Sequence, residues 1–208
     1  MKTIGLFYAT REGQTRKIIR RVADSLQARG FDVEIWNVKR SAPAPRLFNY
    51  EAVILAASVQ TGRHEREMVK FVKRHLNELQ ATPAAFLSVS LSQAGVERPG
   101  TTPEEHTRFS ADVRGVLDRF SHETNWYPKQ VKAVAGALLY TKYNFLIRFI
   151  MKQISKKSGG SIDTSRDHEY TDWAALDRFA GEFTSEFSSP ATAIVMDRFS
   201  HMTSRAAS

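Results

Sequence analysis

The residues of this 208-residue chain that are most suited to chemistry form a short polar turn near the N-terminus. Six consecutive residues follow an apolar run and precede a helical pattern: Thr10, Arg11, Glu12, Gly13, Gln14 and Thr15. Backbone N–H groups at a helix N-terminus are unpaired, and the helix dipole favours an anion there. Thr10 and Thr15 add hydroxyl donors, and Gly13 lets the backbone approach a ligand closely. Arg11 supplies positive charge, and we expect the Glu12 side chain to turn to solvent.

The glycine content of this turn indicates a single phosphate group as the ligand. The turn has one glycine and no Lys-Ser/Thr pair, so it is neither a dinucleotide fingerprint nor a nucleotide-triphosphate loop. A phosphate monoester therefore fits better than a pyrophosphate. The residues alone leave one alternative open, which is an ordinary strand-to-helix turn with threonine as the N-cap.

Two more polar loops follow later apolar runs. The first loop contains Ser58, Val59, Gln60, Thr61 and Gly62. The second loop contains Ser88, Ser90, Leu91 and Ser92. Because the carboxyl ends of neighbouring parallel strands meet at one edge of a doubly wound sheet, we expect all three loops to lie together. A flat ring can lie between them, with backbone amides reaching its polar edge.

The apolar pattern predicts the elements that position these loops. Five apolar runs predict strands over residues 4–8, 33–36, 52–57, 84–89 and 131–137. Helices are predicted over residues 18–26, 65–79, 103–120 and 173–187, and a loop rich in Ser, Gly and Pro precedes the third of them. Strands that alternate with helices indicate an α/β fold with a doubly wound, five-stranded parallel sheet in the order 2-1-3-4-5.

Composition limits the classes of protein and site that the chain can represent. Hydrophobic residues make up 42% and charged residues 25%, so the chain is not disordered throughout. The sequence has no cysteine, which excludes disulfides, thiolate metal sites, iron–sulfur clusters and thiol catalysis. Its six histidines show no metal-ligand spacing, so no metal site is predicted. The apolar stretch before Arg11 is too short for a signal peptide or a membrane span, and we therefore expect a cytoplasmic protein.

A basic segment carries most of the net charge of +8. Residues 124–162 contain no Asp or Glu and seven cations: Lys129, Lys132, Lys142, Arg148, Lys152, Lys156 and Lys157. Apolar residues of this segment recur at helical spacing: Tyr143, Leu146, Ile147, Ile150, Met151 and Ile154.

The predicted helix of this basic segment has two dissimilar sides. Arg148, Lys152 and Lys156 lie opposite the apolar stripe. Phe145 and Phe149 lie near those cations, an arrangement typical of helices in a membrane interface. A core helix with a solvated basic face remains the alternative. No nucleic-acid motif accompanies the segment, so nucleic-acid binding is not expected.

The polar turn over residues 10–15 resembles the FMN phosphate loop of flavodoxins. Further segments occur in an order that is similar to one subfamily: residues 136–140, 151–154, 158–160, 163–164 and 170–173. That subfamily is the flavodoxin-type, quinone-dependent protoporphyrinogen oxidases of bacterial haem synthesis. The resemblance covers about residues 1–187. It implies one flavodoxin-like domain over residues 1–187, with a basic helical insertion after the fifth strand at about residues 139–163. Residues 188–208 have no counterpart in the family, and their richness in Ser, Thr and Ala predicts a mobile tail.

The resemblance also implies an activity, a cofactor and partners. FMN is the expected cofactor, held by the three loops. Protoporphyrinogen IX is the expected electron donor and a membrane quinone, menaquinone, the acceptor. Catalysis is centred on the flavin, with no side-chain acid or base assigned. Two alternatives stay open, a flavodoxin-like NAD(P)H:quinone reductase and a non-catalytic FMN electron carrier.

The insertion is expected to distinguish the oxidase from a simple carrier. The resemblance implies that it helps cover the flavin and reaches the substrate propionates or the membrane. The residues concerned are Tyr143, Arg148, Lys152 and Lys156. The protein is therefore expected to lie on the cytoplasmic face of the cell membrane, in peripheral contact with its anionic surface. The sequence predicts no oligomeric state.

Overall fold

A parallel sheet forms the centre of the molecule, which a computed structural model describes over residues 2–40, 45–138 and 168–188. Its parallel strands are β1 (Thr3–Ala9), β2 (Asp32–Asn37), β3 (Ala52–Gln60), β5 (Ala84–Ser90) and β6 (Gln130–Ala135), and a two-residue strand, β4 (Arg63–His64), pairs antiparallel with β3. The strand order is β2-β1-β3-β5-β6. With the short β4 set aside, this is the predicted 2-1-3-4-5 order, and the doubly wound α/β fold is confirmed.

Helices lie on both faces of this sheet. They are α1 (Gln14–Gln27), α2 (Arg66–Arg74), α3 (Leu76–Ala81), α4 (Leu91–Glu97), α5 (Pro103–Thr124) and α6 (Trp173–Ser188), with a 3₁₀ turn over Leu47–Asn49. The start of α5 is fixed by a capping box, in which the Thr102 hydroxyl accepts from the Glu105 N–H and the Glu105 carboxylate accepts from the Thr102 N–H. Within the described residues, no helix is long and apolar enough to cross a membrane.

Alternating side chains of the strands supply two hydrophobic cores. Ile4 and Leu6 face α1 and α6, whereas Phe7 faces α2, α3 and α5. The first core is mainly aliphatic, and the second is rich in aromatic rings, including Phe86 and Phe120, which stack at 4.4 Å between centroids. Burial on both faces explains why the central strands read as unbroken apolar runs in the sequence.

The helix predicted over residues 65–79 is two helices in the structure. The chain leaves helical geometry at His75, which has φ −106° and ψ 21°. The His75 ring contacts the Glu78 carboxylate at 2.9 Å, and that carboxylate also accepts from the Leu47 N–H at 2.6 Å. These two contacts turn α3 toward the 3₁₀ turn. The prediction of one continuous helix was therefore wrong.

The loop predicted after the fourth long strand is the helix α4. Ser90 caps this helix, because its hydroxyl accepts from the Gln93 N–H at 3.1 Å. Gly95 lies against the Phe109 ring of α5, where a Cβ atom would come within 2.6 Å of the ring. The serine and glycine that suggested a loop are thus a helix cap and a site of close helix packing.

The last parallel strand ends earlier than predicted and leads into a short stem. β6 ends at Ala135, and Gly136 donates its N–H to the Ser90 carbonyl at 3.0 Å. Two short strands, β7 (Ala137–Leu138) and β8 (His168–Glu169), then pair antiparallel, and we call this pair the stem. The predicted insertion between them and the predicted tail beyond Ser188 lie outside the described residues.

Candidate functional site

The strand register places the three predicted loops at one edge of the sheet. Ala9 of β1 pairs with Ala57 of β3, and Ala57 pairs with Ser88 of β5. Ser90, two residues further along β5, pairs with Ala135 of β6. The carboxyl-terminal ends of these strands therefore lie side by side at one edge of the sheet, where each loop begins. This edge also contains the point where the strand order reverses, which is where doubly wound proteins bind their ligands.

The first loop, residues 10–13, leads into α1 with its N–H groups uncapped. Gly13 is the N-cap residue, has the left-handed φ of 102°, and provides no side chain to cap the helix. The Thr10 hydroxyl oxygen accepts from the Gly13 N–H at 3.0 Å and folds the loop back on itself. The first N–H groups of α1 are thus left for an external acceptor.

Two buried polar atoms at the start of α1 lack partners among the residues that the structure describes. Thr15 is fully buried, and its hydroxyl oxygen has no hydrogen-bond partner. The Gln14 side-chain amide donates to the Thr171 hydroxyl at 2.9 Å, and Thr171 donates to the Ala135 carbonyl at 2.8 Å, but the Gln14 Oε1 atom is unpaired. Buried polar atoms are normally satisfied, so an unpaired hydroxyl beside open N–H groups fits an anionic ligand such as phosphate.

The second loop is the tight turn between β3 and β4. Thr61 and Gly62 have φ values of 46° and 73°, and Gln60 pairs with Arg63. Two successive positive φ values are typical of the two-residue hairpin turn whose twist matches that of the strands. Arg119 of α5 donates to the Gly62 carbonyl at 3.1 Å and fixes the turn from outside. We call residues 58–64 the hairpin.

The third loop is the junction between β5 and α4. Ser88 is buried, and its hydroxyl lies 2.9 Å from Nε2 of His64. Ser90 serves as the cap of α4, as described above. Leu91 and Ser92 belong to the first turn of α4, so their N–H groups have no partner within the helix. At this junction, the Ser88 and Ser90 hydroxyls bond within the protein, and the first N–H groups of α4 are left for other acceptors.

His64 belongs to the aromatic core and not to the edge. Its ring packs against Phe86 and Phe120, with centroid distances of 5.1 and 4.7 Å. Burial lowers the pKa of His64 to about 3, so the imidazole is neutral at physiological pH. Its bond to Ser88 ties the hairpin to the next strand.

The charged residues of the first loop form contacts across the edge. Arg11 contacts the carboxylate of Glu65 through Nε at 3.5 Å. Glu12 does not turn wholly to solvent, because it is half-buried and its carboxylate accepts from the Gln60 amide at 3.5 Å. The Glu65 carboxylate is bound more closely by Lys39, at 2.5 Å. The first loop and the hairpin are therefore joined by polar side chains.

Sequence reasoning missed four residues that organise this edge: Lys39, Glu65, Arg119 and Thr171. Lys39 follows β2 and Glu65 follows β4, so a search for charged residues beside each strand end would have found these two. No local signal indicates Arg119, which reaches the edge from a remote helix. Thr171 belongs to the motif of residues 170–173, but that motif alone does not indicate a role at this edge.

The predicted substrate and membrane residues Tyr143, Arg148, Lys152 and Lys156 lie outside the described residues. In the part of the chain that is described, no cluster of three His, Asp or Glu side chains is arranged to hold a metal ion.

Comparison with known proteins agrees with this geometry. A family model described as a flavodoxin domain matches residues 5–165. A relative from Escherichia coli, named protoporphyrinogen IX dehydrogenase (quinone), is 37% identical over 182 residues, which cover 88% of this chain and 94% of the relative. The chain belongs to the flavodoxin-type protoporphyrinogen IX dehydrogenases. A relative of the same name from Leishmania major is 34% identical over 184 residues, covering 86% of this chain and 74% of its own length.

Solved flavodoxin structures share the fold of this family member. Oxidised flavodoxin 2 from Bacillus cereus aligns with a TM-score of 0.52 and 14% identity, over 89% of this chain and 99% of that chain. Oxidised flavodoxin 1 from the same organism aligns with a TM-score of 0.50 over 90% of this chain and 100% of that chain. At this identity the likeness concerns the fold alone.

Proposed function

We propose that this chain is an FMN-dependent oxidase of protoporphyrinogen IX that passes electrons to a quinone. The observation that carries the proposal is the 37% identity, over nearly the full length of both chains, to a protein named for that reaction. The uncapped start of α1 and the unpaired Thr15 hydroxyl support the cofactor, because a phosphate would satisfy both.

The described residues have distinct roles in this proposal. The α1 N–H groups and the Thr15 hydroxyl hold the phosphate. The hairpin and the β5–α4 junction present backbone groups to the flat ring, with the hairpin fixed by Arg119. Bound FMN would supply a two-electron acceptor that a quinone can reoxidise. The protein contributes position and electrostatics, and we assign no side-chain acid or base.

An anaerobic assay tests the reaction. Purified full-length protein is mixed with protoporphyrinogen IX and a soluble quinone analogue, and porphyrin fluorescence is followed. We expect porphyrin to form only when both FMN and quinone are present. Thr15→Val should slow the reaction at limiting FMN, whereas Thr15→Ser, which keeps the hydroxyl, should not. Quinone reduction driven by NADPH without porphyrinogen would instead identify a quinone reductase.

We further propose that the quinone is menaquinone and that the protein lies on the cytoplasmic face of the membrane, against anionic lipid. The support is the basic segment, in which seven cations occur without an acidic residue, and the family's dependence on a quinone. Tyr143, Arg148, Lys152 and Lys156 are the proposed contacts to lipid or to the substrate propionates.

Vesicle binding tests the membrane proposal. The full-length protein should sediment with vesicles that contain anionic lipid, and binding should fall as salt screens the cations. Replacing Arg148, Lys152 and Lys156 with Gln should weaken this binding without affecting FMN affinity. Equal binding to neutral vesicles would contradict the electrostatic contact, and turnover with ubiquinone but not menaquinone analogues would contradict the choice of quinone.

A further inference from the structure

Glu65 is a buried carboxylate at the edge that holds the three loops. Its side chain is only 2% exposed, and it immediately precedes α2 as the N-cap residue. A buried charge is costly unless it is paired. Glu65 is paired by Lys39 Nζ at 2.5 Å and by Arg11 Nε at 3.5 Å, and it accepts a hydrogen bond from Ser58 at 3.4 Å.

The partners of Glu65 belong to three different segments of this edge. Arg11 lies in the first loop, Lys39 follows β2, and Ser58 begins the hairpin. The Glu65 N–H also donates to the Ser58 carbonyl at 3.1 Å, which fixes the carboxylate relative to the hairpin. The carboxylate is therefore held in place whether or not Arg11 contacts it.

Arg11 is held much less firmly than Lys39. Its side chain is 64% exposed, against 26% for Lys39, and its single contact with Glu65 is longer by about an ångström. Because the Arg11 guanidinium is largely exposed, water screens its attraction to the Glu65 carboxylate, and the pair is weak. An anion bound at the start of α1 can therefore draw Arg11 away from Glu65.

We infer that Glu65 competes with the ligand's phosphate for Arg11 and so lowers the affinity of the first loop for phosphate. This role rests on the proposed function, because it requires that FMN binds there. Lys39 neutralises most of the direct repulsion between Glu65 and phosphate, since it lies closer to the carboxylate than Arg11 does. The remaining effect of Glu65 passes through Arg11, which makes Glu65 a positioning residue.

Paired ligands separate this role from a structural one. FMN and riboflavin differ only in the phosphate, so a change confined to FMN reports on the first loop. Each flavin is titrated into the flavin-free full-length chain and its fluorescence is followed. Glu65→Gln should bind FMN about 2- to 5-fold more tightly than the wild type and should bind riboflavin with unchanged affinity. Glu65→Asp, which keeps the charge, should stay within about twofold of the wild type for both ligands.

A second variant tests whether the effect passes through Arg11. Arg11→Gln should weaken FMN binding, and adding Glu65→Gln to it should change FMN affinity by less than about twofold, because Lys39 retains Glu67 as a counter-ion at 3.8 Å. Weaker FMN binding by Glu65→Gln, an equal change for riboflavin, or an undiminished gain in the Arg11→Gln background would each overturn the inference. A chain that binds FMN without oxidising protoporphyrinogen would overturn only the proposed function.

Discussion

The first loop and the hairpin lie at the same edge of the sheet but satisfy their polar groups differently. The first loop leaves the α1 N–H groups uncapped and the Thr15 hydroxyl without a partner among the described residues. The hairpin is held by partners from other parts of the protein: the Gln60 amide donates to Glu12, and the Gly62 carbonyl accepts from Arg119. Among the buried side-chain atoms of the hairpin, His64 Nδ1 lacks a partner within the described residues, and its ring packs in the aromatic core.

This difference indicates a division of work between the two loops. The first loop lacks bonds that a phosphate would provide, so changes there should affect ligand binding more than folding. The Gln60 amide and the Gly62 carbonyl of the hairpin already have protein partners when no ligand is bound. Changes in the hairpin should therefore affect stability more than binding. Four variants test this division, in order of expected effect.

Thr15→Val should have the largest effect, and only on binding. A hydrogen bond from a buried hydroxyl to a charged acceptor is worth about 1.5–3 kcal/mol, so FMN affinity should fall about 10- to 100-fold. The free energy of unfolding of the flavin-free protein should hold or rise, because an unpaired buried oxygen is removed. Fluorescence titration and chemical denaturation measure the two quantities, with Thr15→Ser as the control. A loss of stability without a loss of FMN affinity would show that the Thr15 hydroxyl forms a hydrogen bond within the protein and does not bind the ligand.

His64→Gln should change the pH dependence of stability and leave FMN affinity near the wild-type value. The folded-state pKa of His64, about 3, lies below the ordinary 6.5, so the unfolded chain binds a proton first as the pH falls. The contribution of the neutral His64 ring to the free energy of unfolding is fully present above pH 6.5. It falls by about 1.4 kcal/mol per pH unit as the pH is lowered to about 3.

Denaturation at pH 7.5 and pH 5 measures this decline. Wild-type protein should lose about 2 kcal/mol more than His64→Gln between these two values. The same loss in both proteins would show that His64 is not the group responsible.

Arg119→Met should have a smaller effect on the hairpin. It removes one hydrogen bond from an exposed guanidinium to the Gly62 carbonyl, which is worth about 0.5–1.5 kcal/mol of unfolding free energy. FMN and riboflavin affinities should fall equally, since the hairpin is proposed to contact the ring and not the phosphate. Arg114→Met, at another exposed arginine of α5, is the control. A selective loss of FMN binding would contradict the division.

Thr61→Asn should have the smallest effect and should stabilise. Thr61 has a φ of 46°, which costs a β-branched residue about 1–2 kcal/mol and asparagine less. We expect a gain of about 0.5 kcal/mol in the free energy of unfolding, with FMN affinity unchanged. A lower unfolding midpoint would show that the threonine hydroxyl or methyl contributes contacts that outweigh its backbone conformation.

The central strands could be predicted because their local pattern is sufficient. Residues 52–57 are apolar without interruption, as burial on both faces requires, and residues 84–89 are apolar except for Ser88. The family resemblance drawn from the motifs of residues 10–15 and 136–173 is confirmed by the relatives. A short motif and the periodicity of apolar residues can both be read from the sequence without knowing how the elements pack.

The contacts that organise the edge could not be predicted because they join distant parts of the chain. Gln14 and Thr171 are 157 positions apart, and nothing near either residue indicates the other. Glu65 looks like an ordinary acidic residue at a helix start until Lys39 and Arg11 are seen beside it. The break at His75 is hidden because the apolar residues of α2 and α3 continue one helical pattern.

The stem determines how the chain can vary within this fold. Ala137 and Glu169 are paired neighbours, so the chain between them leaves and returns at one point beside β6. A segment whose two ends are adjacent can become longer or shorter without altering the strands on either side. The entropic cost of closing such a loop grows only slowly with its length. A segment of different length could therefore be accommodated between β7 and β8 without any rearrangement of the parallel sheet.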